Sequence, residues 1–193
     1  MIHCVINGVG TMPSQELKTF HSKNGLLLRI RPLQPEDARY LVNLFEHMGQ
    51  ESRYLRFNLA LTEPSPDLVW SEAERLARID PEQDGAWLVF ADLPDQPEAP
   101  IAGARFVRTD ETTAEVSIAV RDDMQNQGVG SHLLPFVIEQ ARVAGVCKLT
   151  AAIQRNNRPL WYLLKRSGLK LEITYDGSTA VVETDLVDGG ANG

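Results

Sequence analysis

The sequence predicts a single α/β domain, and three observations carry that expectation. Apolar residues recur at helical spacing in two stretches near the front of the chain, 35–48 and 66–79. The period then shortens to two over three consecutive runs, AWLVFADL at 86–93, IAGARFVRT at 101–109 and AEVSIAVRD at 114–122, which turn signals join as in an antiparallel meander. Beyond residue 128, helical and strand-like segments alternate. The chain has 193 residues, 43% of them hydrophobic and 23% charged. That is the ordinary composition of one globular domain, which at this size buries about 70% of its unfolded surface.

The elements follow in order. Residues 1–24 mix Gly, Ser, Lys and Asn without sustained periodicity and read as an N-terminal extension, with the domain proper at 25–187 and a flexible tail at 188–193. LLLRIRP at 26–32 alternates as a strand. PEDARYLVNLFEHM at 35–48 has a proline in its first turn, where a missing N–H costs a helix nothing. In the next helix Ser65 can cap, Pro66 takes the first position, and Leu68, Val69, Ala73, Leu76 and Ile79 form one apolar stripe. DLPDQPEAP at 92–100, with three prolines, reads as a hairpin loop. Gly128 opens a helix running to about 144 despite Pro135, KLTAAIQ at 148–154 is a strand, RPLWYLLKRS at 158–167 is a helix, and two short strands finish the domain. The expected order is β-α-α-β-β-β-α-β-α-β-β.

Charge and composition exclude several functions. With 19 basic and 26 acidic residues the net charge is −7, so nothing supports an extended nucleic-acid surface, although a small local anion site is compatible with it. Cys4 and Cys147 are too few for a disulfide framework, and four scattered histidines lack metal-ligand spacing, so no metal is expected and a reducing compartment is the simplest reading. Cys147 precedes a strand and reads as a buried apolar residue. No stretch approaches 18 apolar residues, and the start, MIHCVINGVGTMPSQ, has no basic region ahead of an apolar run. A cytoplasmic protein without a membrane partner is the expectation, and a homodimer is compatible with the sequence.

The stretch that carries chemistry is VRDDMQNQGVGSHLL at 120–134, where Q-x-x-G-x-G, beginning at Gln125 and containing Gln127, Gly128 and Gly130, joins a strand to a helix. Glycines let backbone amides approach an anion closely, and a helix start offers unpaired N–H groups with partial positive charge. Phosphates can thus be held without many lysines, which suits an acidic chain. The alternative is a tight strand-to-helix connection that binds nothing.

This turn resembles the acetyl-coenzyme A (acetyl-CoA) cradle of the Gcn5-related N-acetyltransferase (GNAT) superfamily, Q/R-x-x-G-x-G/A. IQRNNRPLWYLLKRSGL at 153–169 is similar to that family's second cofactor motif, with Asn157 and Gly168 in their places. QESRYLRF at 50–57 and AEVSIAVRDDMQNQGVG resemble segments of bacterial protein lysine acetyltransferases, and the likeness covers about 26–186. It implies a GNAT-like mixed, mainly antiparallel central sheet, flanked by helices and splayed near the cradle. It also implies acetyl-CoA as co-substrate, with pyrophosphate on Gln125, Gln127, Gly128, Val129, Gly130 and Ser131, the thioester beside Ile118 and Val120, and a further cofactor contact at Asn157. Transfer would be direct, in a ternary complex and without a metal. The acceptor would be a primary amine, first of all a protein lysine; a small amine, or a non-catalytic acetyl-CoA-sensing domain, is the alternative.

Glu115 is the candidate general base. Alternation puts Glu115 and Ser117 on one strand face with Ala119, and Val116, Ile118 and Val120 on the other. Related protein acetyltransferases carry their catalytic glutamate twelve residues before the second Q/R of the cradle, and Glu115 stands twelve before Gln127. A solvated strand carboxylate is the competing reading. The family's frequent tyrosine near the end of the second-motif helix is replaced by Leu164, with Tyr162 on a different face, and its cradle arginine is replaced by Gln127. Asn157 can alternatively serve only as a helix cap. Tyr54 and Arg56 line the acceptor side by resemblance, or act as loop anchors. His132 reads as an exposed polar residue of the first helical turn. The charge of −7 favours acceptor segments with positive neighbours.

Overall fold

The computed structural model describes residues 18–57 and 63–186. Its strands are β1 (Lys18–His21), β2 (Leu27–Pro32), β3 (Gly85–Leu93), β4 (Gln96–Arg108), β5 (Thr113–Val120), β6 (Lys148–Gln154), β7 (Glu172–Asp176) and β8 (Thr179–Asp185). Its helices are α1 (Ala38–Glu46), α2 (Gln50–Phe57), α3 (Pro66–Ala77), α4 (Val129–Val143) and α5 (Arg158–Arg166), with short 3-10 turns at Pro35–Asp37 and Asp122–Met124. One eight-stranded sheet runs β1-β2-β3-β4-β5-β6-β8-β7. Every pairing is antiparallel except β5 with β6. The expected mixed, mainly antiparallel sheet is therefore present. No helix among the described residues is long and apolar enough to cross a membrane.

Three elements differ from expectation. Among the described residues the sheet already includes Lys18, ahead of the boundary expected at 25, because Lys18–His21 pairs with Leu27–Ile30 in a hairpin. Residues 50–57 form helix α2 rather than a loop. The proline-rich hairpin loop shrinks to Pro94 and Asp95, since Leu93 pairs with Gln96, while Pro97 and Pro100 lie within β4. β4 accommodates them through register shifts between Val89 and Phe90 and between Ala91 and Leu93.

The sheet is covered on both faces. Trp87 and Val89 of β3 and Val116, Ile118 and Val120 of β5 belong to the cluster that packs on Leu133, Val137, Ile138 and Ala141 of α4. Leu88 and Phe90 of β3 face the other way, toward Tyr40 and Leu41 of α1, and α1 packs on α3 through Ala38, Ala73 and Ala77. Full burial of a side chain such as Leu88 or Leu133 contributes about 1.5–3 kcal/mol. The alternation of β5 thus sends its apolar residues to the α4 layer and Glu115, Ser117 and Ala119 to the α1–α3 layer.

The register between β5 and β6 positions the site. Parallel pairing covers only Thr113 with Lys148, Ala114 with Leu149 and Glu115 with Thr150. Beyond Glu115 the two strands part, β6 continuing on β8 alone and β5 on β4 alone. Val116–Val120 therefore presents one edge of its backbone to an opening, and the 3-10 turn and α4 begin at the far end of that edge.

Candidate active site

The turn after β5 depends on one buried arginine. Arg121 is 3% exposed; its Nε and Nη2 donate to the two oxygens of Asp123 at 2.6 and 2.9 Å, and its Nη1 donates to Gln96 Oε1 at 3.3 Å. Asp122 accepts from the Gly49 N–H at 2.9 Å, and the Asp122 N–H donates to the His47 carbonyl at 3.0 Å. These bonds tie the turn to β4 and to the α1–α2 connection. Gln125 adds another tie, donating through Nε2 to Ser52 Oγ and to Asp122 Oδ1, both at 3.1 Å. Its Nε2 is occupied by protein partners.

At the helix start, Asn126 (φ 61°) and Gly128 (φ 85°) take left-handed backbone conformations, which Asn tolerates and Gly adopts freely. Gly128 is the N-cap of α4 and brings no side chain to cap it. The N–H groups of Val129, Gly130 and Ser131 are consequently the unpaired first-turn donors of a 15-residue helix, aimed out of its positive end. Gly130 has a packing reason as well, because a Cβ there would stand 2.8 Å from Leu163 Cδ1 of α5. The loop is braced from the first hairpin, where the Lys23 N–H donates to the Gln127 carbonyl at 2.9 Å. His132 is exposed as expected, yet its ring stacks on Phe20 with centroids 4.4 Å apart.

Asn157 is the N-cap of α5, its Oδ1 accepting the Leu160 N–H at 3.2 Å. Its Nδ2 group is left as a donor for a ligand. Asn157→Ala is expected to lower stability by about 1 kcal/mol, a melting-temperature drop of roughly 2–4 °C at this chain length, measurable by calorimetry. An unchanged melting temperature would contradict the capping role. Leu164 is buried and Tyr162 is exposed, its ring under the Arg166 guanidinium, so neither supplies a hydroxyl to the opening between β5 and β6. Tyr54 of α2 does reach that region: its hydroxyl donates to Gln154 Oε1, at the end of β6, at 3.3 Å.

On the α1–α3 side of the sheet lies a cavity of about 720 Å³, walled by Phe45, Leu68 and Val69 and floored by Gly103, Arg105, Glu115 and Ser117. Glu115 is exposed and sits opposite Val107 of β4 and Thr150 of β6, at the last pair before the strands part. Its carboxylate therefore stands at the fork. Arg56, read from sequence as an acceptor-side residue or a loop anchor, projects from α2 into this cavity and donates through Nη2 to Ser117 Oγ at 3.0 Å. Burial, and next the Arg105 charge, lowers the pKa of the Arg56 guanidinium to about 10, while Glu115 acts in the opposite sense. Arg105 is lowered as well, first by burial. Sequence reasoning missed Ser52, Arg105 and Arg121, since only tertiary pairing puts Ser52 against Gln125, Arg105 on the cavity floor and Arg121 against Gln96. The structure thus brings Glu115 and Ser117 to one cavity and Gln125 to Ser131 to the helix start, with the free edge of Val116–Val120 between them.

The comparisons with known proteins bear on the family and the fold. The family model described as Acetyltransferase (GNAT) family matches residues 51–169. Acetyltransferase Pat of Mycolicibacterium smegmatis is 30% identical over 167 residues, 85% of this chain and 47% of Pat, so the chain spans about half the length of that relative. The L-methionine sulfoximine/L-methionine sulfone acetyltransferase of Pseudomonas aeruginosa is 39% identical over 59 residues, 31% of this chain and 34% of that protein. Among solved structures, the GNAT domain of S. lividans PAT superposes with a TM-score of 0.76 at 23% identity, covering 90% of this chain and 98% of that one. Its fold is the fold described above. The family model takes in both the fork at Glu115 and the helix start at Gly128 and spans well over half of the sequence, and on that ground the chain belongs to the acetyltransferase (GNAT) family.

Proposed function

We infer that the chain transfers an acetyl group from acetyl-CoA to the side-chain amine of a protein lysine, directly and in a ternary complex. The observation that carries this reading is the fork: a carboxylate faces the cavity where the β5 edge becomes free, and that edge leads to an uncapped helix start. Acetyl-CoA would lie with its pyrophosphate on the amides of Val129, Gly130 and Ser131 and the Gln127 side chain, and its thioester along Ile118 and Val120. Asn157 Nδ2 is the remaining donor on the α5 side.

A lysine ammonium has a solution pKa near 10.4, so almost none is a nucleophile at neutral pH. Glu115 takes one proton, directly or through a water, and the amine lone pair attacks the thioester carbon. The carbonyl oxygen gains charge beside the free N–H groups of the β5 edge. The C–S bond then breaks as the nitrogen gives up its second proton to water in the fork, leaving the amide and coenzyme A thiolate. With Leu164 in place of a tyrosine, water entering the fork protonates the thiolate. Free thiols titrate near 8.5, so this step needs little help at neutral pH.

The likeness to Pat supports the protein-lysine acceptor. A small amino acid is the second reading, favoured by the two cavity arginines and by the partial likeness to the methionine sulfoximine enzyme. Cytoplasm, where acetyl-CoA and protein lysines meet, is the location that fits either. The test is to incubate the purified chain with acetyl-CoA and either lysine peptides or free amino acids and identify the acetylated amine by mass spectrometry. Peptide ε-amine acetylation is expected; acetylation of free amino acids alone would replace the first reading with the second.

A further inference from the structure

Arg56 and Arg105 reach the same point of the cavity from different elements. Ser117 is the cross-strand partner of Arg105 and so shares its face, and Ser117 Oγ accepts from Arg56 Nη2 at 3.0 Å. Both arginines line the cavity. The third arginine there, Arg75, is paired with Glu72 at 2.7 Å. Arg56 and Arg105 form no ion pair with any carboxylate among the described residues. Asp84 acts on Arg105 through space, but its Oδ1 accepts the Arg108 N–H at 3.0 Å. Glu115 is the other carboxylate acting on the two guanidiniums.

Two partly desolvated guanidiniums without an ion pair thus stand at one point of the cavity wall, with Asp84 and Glu115 acting on them only through space. At contact their N–H donors and charge oppose the entry of a bare ammonium, and they favour the neutral form of an amine once seated. An acceptor that brings its own anion removes the first difficulty and keeps the second benefit. Guanidiniums suit this task, because their N–H forks match the oxygens of a carboxylate. We propose that Arg56 and Arg105 form an anion subsite that selects acceptors carrying a carboxylate close to the reacting amine. The subsite rests on the acetyl-transfer reading of the same cavity. It reverses the expectation from net charge, since the acidic surface attracts cations at long range while the cavity selects at contact.

The carboxylate can come from an acidic residue beside a protein lysine or from the α-carboxylate of a free amino acid, and the experiment has an arm for each. The full chain is assayed with acetyl-CoA on blocked single-lysine peptides flanked by Glu or by Gln, and on free lysine beside lysinamide. Within at least one pair the carboxylate form is expected to be favoured about tenfold or more in kcat/KM, the scale of one charge-assisted contact. Arg56→Gln and Arg105→Gln should each shrink that ratio, their combination should bring it to about one, and Arg105→Lys should retain part of it. Preference in the peptide pair names an acidic flank as the source; preference in the lysine pair names the α-carboxylate. Acetylation without carboxylate preference, or a preference that survives the double variant, overturns the subsite and leaves the acetyl-transfer reading standing. Tight acetyl-CoA binding with no acceptor acetylated overturns both.

Discussion

Replacing Glu115 by Gln is expected to lower turnover by about 10²–10⁴-fold, roughly 3–5 kcal/mol of barrier, the usual contribution of a general base. The substitution keeps size and removes only the proton-accepting charge. Glu115 is exposed and belongs to no ion pair among the described residues, so folding should be nearly unaffected. Acetyl-CoA affinity should change little, because the cradle lies beyond the free edge of β5. Loss of the carboxylate lets the Arg56 pKa fall further below about 10, yet that guanidinium stays charged at neutral pH. The variant should also regain activity with rising pH. Each unit supplies about tenfold more neutral amine until the acceptor pKa near 10.4 is approached, and the missing base matters less. Steady-state rates of both proteins from neutral to alkaline pH provide the check. Parent-like turnover of Glu115→Gln at neutral pH would remove the carboxylate from the chemistry.

The second large effect is expected at Gly130. An aspartate there should weaken acetyl-CoA binding by about 100-fold or more, since it offers a carboxylate to the same first-turn amides that would hold pyrophosphate. That competition makes the test selective. A negative charge at a helix N-terminus favours the helix by about 0.3–1 kcal/mol, so folding should survive the substitution while cofactor binding does not. The added Cβ meets Leu163 Cδ1 at 2.8 Å, the mobile end of a side chain that can shift. Gly130→Ala carries that same steric demand without charge and serves as the control, with a much smaller loss expected. Calorimetric titration with acetyl-CoA measures both. Equal affinity in parent and Gly130→Asp would show that the helix start does not hold the cofactor.

The parts of this molecule legible in its sequence are those with strong local pattern. β3, β5 and β6 announce themselves by alternation or by continuous apolar runs, and α4 and α5 by a glycine or an Asn-x-Pro start followed by periodic apolar residues. Glu115 and its face were readable because side chains alternate strictly along a strand. α2 was not, since QESRYLRF has no buried residue and draws its helix from neighbours rather than from an apolar stripe. β1 is only four residues long and mostly exposed, so its strand character comes from pairing with β2. The Arg56–Ser117–Arg105 grouping spans three elements and exists only after β4 pairs with β5 and α2 lies over them. No periodicity within one segment encodes such a meeting. Asn157 shows the reverse case, a residue for which a cofactor contact and a helix cap were both legible, and whose Oδ1 serves as the cap.

The most direct measurement is a stoichiometric one. The purified chain, acetyl-CoA and a lysine acceptor are mixed at varied concentrations, and acetylated acceptor, free coenzyme A and the mass of the protein itself are followed together. Direct transfer predicts acetyl-lysine and coenzyme A appearing one for one, initial rates that depend on both substrates as in a ternary complex, and no acetyl group on the protein. Coenzyme A released without acetylated acceptor, an acetylated protein that forms and decays ahead of product, or binding of acetyl-CoA with no turnover would each contradict it.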